Sequence, residues 1–555
     1  HWEGGQGLRI PACARRVVQD GATKIFSAQV WEEDGYQWRF ESPPRSRYPV
    51  IYEAHVGMAG EGERVHTYAD FSGHVLQRIA DGGYDTVELM AVAEHPYYGS
   101  FGYHVSSFFA PSSRFGTPEE LKALIDRAHG LGLRVVIDIV HSHCVKNEEE
   151  GLSRQDGSDS LYFHSGPRGY HPLWDSRLFD YGKRGVLKFL LSNLRYWLTE
   201  FRVDGFRFDG VTSMLYDHHG LGRSFTSYDD YFGGHFDEEA WAYLALANAL
   251  VHKVNPEAIT IAEDVSGAPG LCASLGEFGA GFDYRLALGV PDIWFKYADI
   301  KSDFDWNIGG LVGELTQRRA EERTVAYVES HDQALVGGKS MIFTLADERM
   351  YDSMHEGSES MAVERAVALH KMMRLLTLAL SAGGYMTFMG NEFGHPEWID
   401  FPREGNGWSY HHARRLWGLR DAPGLRYRFL GDFDGAMLKV FRERGSALLK
   451  EARVVSIFEE EKVAVVERGG LFWVFNFHPT SSYTDYPVSL PPGSYSLALD
   501  SDSRKFGGFG RVHEGARYFT FPHVSKNEMF HLARIYLPSR TALVLEEEGP
   551  RDSGE

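Results

Sequence analysis

Two side chains of opposite charge stand two positions apart in the stretch GFRFDGVTS, residues 205–213. Side chains alternate along a β-strand, so Arg207 and Asp209 share one face while Phe206 and Phe208 share the other. Charged groups that face an interior must pair with each other or with a ligand, because an unpaired buried charge costs several kcal/mol. We expect the Arg207 charge to lower the pKa of Asp209 and keep it ionised at neutral pH. The stretch predicts a positioned carboxylate nucleophile, with a plain salt bridge as the alternative.

A second carboxylate, Glu263, follows the apolar run AITIA, where burial raises the pKa of a carboxyl group. An ionised carboxylate beside a carboxyl of raised pKa is the pair that retaining glycoside chemistry uses. Asp209 would attack the anomeric carbon, and Glu263 would protonate the departing oxygen. Retention requires the two carboxyl groups to lie about 5–5.5 Å apart. Taken alone, Glu263 is equally explained as a helix cap or a surface carboxylate.

Polar side chains also end other apolar segments: Asp138, His141 and His143; Asp264; and Glu329, His331 and Asp332. A metal is not expected, because adjacent histidines such as His411 and His412 point apart and no carboxylate stands at ligand spacing on a shared helix. A Ser-His-Asp triad is not expected either, because Ser330 is followed directly by the histidine and the aspartate. We therefore predict a site without metal or cofactor.

Composition narrows the class of partner. The 555 residues carry a formal charge of −20, which disfavours nucleic acid and anionic membranes because both attract clustered Lys and Arg. A neutral substrate fits better, and 12 Trp, 28 Tyr and 25 His suit a protein that stacks on sugars and binds hydroxyls. Three widely spaced cysteines, Cys13, Cys144 and Cys272, indicate a reducing compartment rather than a disulfide framework. The sequence shows neither a targeting core nor a membrane span.

Eight apolar segments must position these residues. They are IYEAHVGM, DTVELMAVAEH, LRVVIDIVHSH, VDGFRFDGV, AITIAEDV, FDYRLALGV, RTVAYVESHD and GYMTFMGNEF. Between them, stretches such as PEELKALIDRAHGLG and AVERAVALHKMMRLLTLAL place apolar residues at helical spacing. Strand-helix alternation of this kind predicts a closed (β/α)₈ TIM barrel rather than an open sheet. No Gly-x-Gly-x-x-Gly follows the first strand, so a dinucleotide fold gains no support.

The chain divides into three expected regions. Residues 1–48 contain short strands in RRVVQD, KIFSAQVWE and YQWRF and end in a proline-rich linker. Residues 49–435 form the barrel, with a polar loop excursion over residues 144–184 after the third strand. Residues 436–555 form a C-terminal antiparallel β-domain, and its last residues, EEEGPRDSGE, are expected to be disordered.

Four of the motifs above, DIVHSH, GFRFDGVTS, AEDVSG and ESHDQ, together resemble the four signature regions of the α-amylase superfamily. Within it, the chain most resembles the α-1,4-glucan (glycogen or starch) branching enzymes. Ser142 and Ser330 stand where amylases usually carry Asn, and Gln333 follows the aspartate. Longer runs agree, among them EHPYYGSFGYHV, FHSGPRGYHPLWDSRLFDY and MGNEFGHPEWIDFPREGN. The likeness extends over nearly the whole chain from about Gly7.

The resemblance implies roles for individual residues. Asp209 would be the nucleophile, Glu263 the acid and base, and Asp332 a third carboxylate that binds sugar hydroxyls and favours ring distortion. The implied substrate-binding residues are Tyr103 stacking under the sugar, His143 and His331 on its hydroxyls, Arg207 orienting the nucleophile, and Asp138 supporting His143 and Arg207.

The implied reaction is the transfer of a piece of an α-1,4-glucan (amylose, amylopectin or glycogen) to a glucose 6-hydroxyl, which forms an α-1,6 branch. A hydrolase using the same first step, or a catalytically silent glucan-binding protein, is the alternative. Residues 1–48 would be the end of an N-terminal carbohydrate-binding β-sandwich. We expect a cytoplasmic monomer, or one in the plastid stroma of a plant-type cell. Candidates for a platform that holds the acceptor sugar are Phe101, Tyr103, Tyr170, Trp174 and Trp398.

Overall fold

A closed barrel of parallel strands forms the centre of the computed structural model, which describes residues 1–2, 4–32, 35–525 and 528–548. Residues 549–555 of the expected disordered tail lie outside the described residues. The first barrel strand pairs with the second and the eighth, so the sheet closes as predicted. The eight strands, in chain order, are Val50–Ala54, Thr86–Leu89, Arg134–Ile139, Gly205–Phe208, Ile259–Ala262, Tyr284–Leu286, Thr324–Ala326 and Gly384–Phe388.

Apolar side chains fill the lower part of the barrel interior. Ile51, Val136, Ile261, Tyr284 and Met386 belong to one buried cluster. Such packed layers make the barrel a core rather than a pore, so polar groups are left to the strand ends.

Helices cover the outside of the barrel. Thr117 caps the helix Pro118–Gly130 by accepting a hydrogen bond from the Glu120 amide, and the Glu120 carboxylate accepts one from the Thr117 amide. Among the described residues, every helix is too short or too polar to cross a lipid bilayer. The longer helices are Tyr68–His74, Leu76–Asp81, Pro118–Gly130, Arg184–Glu200, Glu238–Val254, Gly289–Ala298, Ile308–Leu315, Met341–Ala346, Met361–Leu380 and Tyr427–Arg442.

The excursion after the third barrel strand has structure of its own. Its strands His143–Val145, Tyr170–His171 and Ser176–Leu178 form a small antiparallel sheet with the last of them in the middle. This sheet begins at His143, so the excursion is tied directly to a predicted site residue.

Among the described residues of the N-terminal region, the strand Val17–Gln19 pairs with Phe26–Ala28, and Trp2 forms an isolated bridge with Gly5. The strand predicted for YQWRF is wrong. The amides of Arg39 and Phe40 both donate to the carboxylate of Asp126 on the barrel helix Pro118–Gly130, so that carboxylate takes the place of a strand partner.

The C-terminal strands form one antiparallel sheet, as predicted. In spatial order they are Arg453–Phe458, Val463–Arg468, Leu471–Asn476, Thr541–Glu547, Ser494–Asp500, Arg517–Ser525, Glu528–Leu537 and Tyr483–Ser489. The long barrel helix Met361–Leu380 packs against this sheet, so the sheet and the barrel share a core.

Candidate active site

Arg207 is held in the barrel by its neighbour on the third strand. The register pairs Arg207 with Asp138, and Arg207 Nη1 donates to Asp138 Oδ2 at 2.6 Å. The same Nη1 lies 3.4 Å from Asp209 Oδ1. Arg207 therefore orients the Asp209 carboxylate, while Asp138 holds the guanidinium in place.

Asp209 and Glu263 follow neighbouring residues on adjacent strands, because the register pairs Phe208 with Ala262. Gly210 completes the turn, with a φ of 65° and an amide that donates to Glu263 Oε2 at 2.7 Å. A Cβ on Gly210 would lie 2.9 Å from the hydroxyl of Ser142. Only glycine accommodates both the left-handed backbone and this close approach.

The predicted direction of the Asp209 pKa shift is wrong. Burial raises the pKa of Asp209 to about 6, and the lowering by Arg207 is too small to reverse this because Asp138 and Asp332 add negative charge nearby. Desolvation of the charged form outweighs one cation whose shortest contact is to another carboxylate. Asp209 is still mostly ionised at neutral pH.

The expected rise in the pKa of Glu263 is confirmed. Burial raises it to about 7, and the charges of Asp209 and Asp332 add to the rise while Arg207 opposes it. At neutral pH, about half of the molecules therefore carry a protonated Glu263, as a general acid requires.

His331 links the third carboxylate to the barrel. Its Nδ1 bonds Glu53 Oε1 at 2.5 Å, and its Nε2 lies 3.1 Å from Asp332 Oδ1. Burial disfavours the imidazolium, yet Asp332 and Glu53 raise the pKa of His331 well above its ordinary value. Burial likewise tends to raise the pKa of Asp332, but the His331 charge lowers it below its usual range. The two form an ion pair beside Asp209.

Tyr103 and His143 flank these groups. The Tyr103 hydroxyl donates to Asp138 Oδ2 at 2.6 Å, and its ring stacks on the His331 ring at 5.6 Å. His143 bonds the Ser142 hydroxyl through Nδ1 at 3.0 Å. Burial lowers the pKa of His143 to about 3, so this imidazole is neutral. A neutral imidazole both accepts and donates hydrogen bonds, which suits the binding of hydroxyls.

The structure does not bring every strand-end residue into this site. The ring nitrogens of His141 bond Tyr243 and Asn193 on the surrounding helices. Asp264 accepts from the Gly267 and Ala268 amides of its own loop, and Glu329 accepts from the Met341 amide. Asp138 accepts hydrogen bonds from Tyr103 and Arg207, and among the described residues it makes no direct bond to His143, which it was expected to support.

Two buried carboxylates of the site escaped the sequence analysis. Glu53 on the first strand bonds His331, and Glu88 on the second lies 3.8 Å from Arg207 Nε. The signal was present, since each is a lone carboxylate inside an apolar strand segment, IYEA or TVEL. Such a residue needs a buried partner.

The five aromatic residues proposed for the acceptor platform lie in different parts of the structure. Trp174 stacks on His171 at 3.8 Å and lies 4.9 Å from the His143 ring. Phe101 contacts Phe401, with ring centres 4.2 Å apart. The Tyr170 ring has the guanidinium of Arg177 over it, and Trp398 stacks on His412. Of the five, Trp174 and Tyr103 lie against predicted sugar-binding histidines.

Comparison with known proteins gives a consistent family. The description "Alpha amylase, catalytic domain" matches residues 74–178, and "Alpha amylase, C-terminal all-beta domain" matches residues 458–548. A solved structure from Salmonella typhimurium, named as an alpha amylase, aligns with a TM-score of 0.60 over 93% of this chain and 85% of that one. At 19% identity, it supports the fold alone.

Curated relatives are far more similar. The chain is 51% identical to a 1,4-alpha-glucan-branching enzyme of Yarrowia lipolytica, across 98% of this chain and 81% of that protein. It is 50% identical to the one of Equus caballus, across 98% of this chain and 78% of that protein. One from Dictyostelium discoideum is 49% identical, with 98% and 80% covered. With such identity over nearly its whole length, the chain belongs to the family of 1,4-alpha-glucan-branching enzymes.

Proposed function

We propose that this protein cleaves an α-1,4-glucan and transfers the released piece to a glucose 6-hydroxyl, forming an α-1,6 branch. Asp209 Oδ attacks the anomeric carbon while Glu263 gives its proton to the departing 4-oxygen. The Asp209-glucosyl ester is then attacked by the acceptor 6-hydroxyl, whose proton returns to Glu263. The observation that carries the proposal is the pairing of Asp209 with Glu263 at the ends of adjacent strands.

The arrangement of the strands supports a retaining course. Neighbouring strands lie about 4.8 Å apart, and retention requires carboxyl groups about 5–5.5 Å apart. Asp209 and Glu263 each directly follow one member of a registered pair. The expected separation of their carboxyl groups therefore fits a retaining enzyme far better than the wider separation found in inverting enzymes.

The remaining residues have binding roles in this proposal. The His331 imidazolium donates to a hydroxyl of the glucose at the cleavage point, and Asp332 accepts from another. His143 binds a further hydroxyl, and Tyr103 stacks under the ring. Acid, base and nucleophile are all side chains, so the reaction needs no metal or cofactor.

The substrate, the oligomeric state, the cellular location and the domain bounds complete the proposal. We infer that the protein acts on amylose, amylopectin or glycogen, as a monomer, in the cytoplasm or plastid stroma, and without nucleic acid or membrane partners. We also keep the division into an N-terminal region over residues 1–48, a barrel over residues 49–435 and a C-terminal domain over residues 436–555.

Incubation with amylose tests the transfer. We expect the blue iodine colour to fade while reducing ends rise little, and a debranching enzyme then to release short linear chains. Asp209→Asn should lose about 10⁴-fold or more in rate with its fold intact, because the amide is too weak a nucleophile. Asp217→Asn is the matched control, since its carboxylate is partly exposed and bonds His235.

Two outcomes would contradict the proposal. Reducing ends that climb in step with the loss of colour, with nothing released on debranching, would make the protein a hydrolase. Full activity of Asp209→Asn would place the nucleophile elsewhere.

A further inference from the structure

A second cluster of ionisable side chains lies outside the candidate active site, on the segment after the eighth barrel strand. Glu397, His411 and His412 place one carboxylate oxygen and two ring nitrogens within 4.8 Å of one another. Glu397 Oε1 lies 3.9 Å from His411 Nε2, and Glu397 Oε2 lies 3.7 Å from His412 Nδ1. These separations are too long for hydrogen bonds, so the three groups converge without bonding one another.

The convergence of two adjacent histidines contradicts the expectation that they point apart. That expectation holds for a strand, but the segment is a turn in which the Ala413 amide bonds the Tyr410 carbonyl. The two imidazole rings are therefore perpendicular, at 88°, with centres 4.8 Å apart. Both rings consequently offer a nitrogen to the same carboxylate.

Two of the converging atoms have unmet bonding capacity. Glu397 Oε2 and His412 Nδ1 are buried and make no hydrogen bond within the described part of the chain. Leaving such buried groups without a partner is unfavourable. A cation between them would satisfy both.

The neighbours of the cluster bear on which ring nitrogen of His411 carries the proton. Glu63 Oε1 lies 3.0 Å from His411 Nδ1. A proton on Nδ1 leaves the Nε2 lone pair free toward Glu397, and a carboxylate behind a histidine is the usual support of a metal ligand. The Arg414 guanidinium, whose Nη2 lies 3.2 Å from the same Nδ1, can only donate and so competes with Glu63 for that nitrogen. Metal binding at Nε2 selects the tautomer in which Nδ1 donates to Glu63. Trp398 stacks on the His412 ring at 4.1 Å.

We propose that Glu397, His411 and His412 bind one divalent transition-metal ion of the zinc type. Two imidazoles and one carboxylate suit zinc, and three protein ligands leave a fourth position for water. Oxygen-preferring ions such as Mg²⁺ and Ca²⁺ suit this set poorly. The ion would join residues 397 and 411–412, and the segment between them pairs with the loop that carries Asp332 through the Ile399 amide and the Ala334 carbonyl, 2.7 Å apart.

Calorimetric titration of the tag-free 555-residue chain with ZnCl₂ tests the site. The parent carries Cys13→Ser, because the exposed Cys13 thiol could itself bind zinc. After EDTA treatment and dialysis, we expect one equivalent of zinc to bind and to raise Tm. Glu397→Gln and His412→Gln should each weaken binding at least tenfold and abolish the rise in Tm. Glu63→Gln should weaken zinc binding about tenfold, because it replaces the carboxylate that supports His411 through Nδ1.

His235→Gln is the matched control, because His235 also pairs with a carboxylate, Asp217, but belongs to no such cluster in the described residues. It should bind zinc as the parent does. Circular dichroism checks that each variant is folded. If Glu397→Gln does not fold, Glu63→Gln replaces it in the test, because the Glu63 side chain is half-exposed and its replacement should not disturb the fold. No stoichiometric binding by the parent, or equal binding by parent, Glu63→Gln and His412→Gln, would overturn the proposal.

Discussion

Asp209 and Glu263 titrate in the same pH range for a shared reason. Burial raises the pKa of Asp209 to about 6 and that of Glu263 to about 7, and the Asp332 charge adds to both rises. In the proposed mechanism, the reactive form has Asp209 ionised and Glu263 protonated. Of the two carboxyls, Asp209 has the direct Arg207 contact, and the Arg207 charge opposes the rise in the pKa of both.

The pH profile follows from these values. With amylose, kcat/KM should rise as pH increases through about 6, where Asp209 loses its proton, and fall above about 7, where Glu263 loses its own. Glu263→Gln assayed with an α-maltooligosyl fluoride, whose leaving group needs no proton, should keep the rise and lose the fall. An alkaline fall that persists in this variant would assign it to another group.

Sequence reasoning singled out Asp209, Glu263 and Asp332 as candidates but not the balance of charges around them. Each follows an apolar strand segment, which is why type and position drew attention to it, and the roles of the three residues stay predictions. The direction of the Asp209 pKa shift could be determined only from the three-dimensional structure. Arg207 makes its shortest bond to Asp138, and the desolvation of Asp209 depends on the groups packed around it. Glu53 and Glu88 were missed because they stand inside strands rather than at their ends.

At the scale of elements, the excursion after the third strand shapes the rim of the site. The amides of Leu173 and Trp174 both donate to His171 Nδ1, at 3.2 and 3.0 Å. With its ring stacked on the same histidine, Trp174 is fixed before a sugar arrives. Preorganised aromatic faces lower the entropic cost of holding a second substrate, which is what transfer requires over attack by water.

Trp174→Ala should therefore shift the outcome from transfer toward hydrolysis. Loss of about 1 kcal/mol of stacking would raise the number of reducing ends per branch roughly fivefold, with total cleavage changed less. Reducing-end and debranching assays on amylose measure the ratio. Leu173→Ala is the control on the same turn, because its side chain is 69% exposed. An unchanged ratio in Trp174→Ala would remove Trp174 from the acceptor platform.

Elements with strong periodicity were predictable, and elements governed by distant partners were not. The helix over residues 361–380 and all eight barrel strands follow from their own apolar spacing. YQWRF has the composition of a strand, but its amides are satisfied by Asp126, about 90 residues further along the chain. Likewise, the rule that adjacent histidines diverge fails for His411 and His412 because the segment turns there.

At the scale of the whole molecule, one buried arginine ties the C-terminal sheet to the barrel. Arg468 donates to the carbonyls of Leu378 and Ala379 at the end of the helix Met361–Leu380, and to the carbonyl of Leu448. Its guanidinium also lies over the rings of Tyr48 and Phe441, at 5.0 and 5.2 Å. The sheet, two helices and the linker before the first barrel strand thus meet at a single side chain.

Replacing this arginine should destabilise the whole protein rather than the site. Arg468→Met keeps much of the apolar volume but leaves the buried carbonyls of Ala379 and Leu448 without their donor, while Leu378 keeps the Ser381 hydroxyl. The cost is roughly 2 kcal/mol. We expect a clear fall in Tm by calorimetry, with normal amylose branching well below the new transition, because the site is built on barrel strands. Arg453→Met is the control, since its exposed side chain makes only a 3.6 Å pair with Glu467, worth about 0–1 kcal/mol. Equal melting of the two variants would show that the sheet is held to the barrel by apolar packing alone.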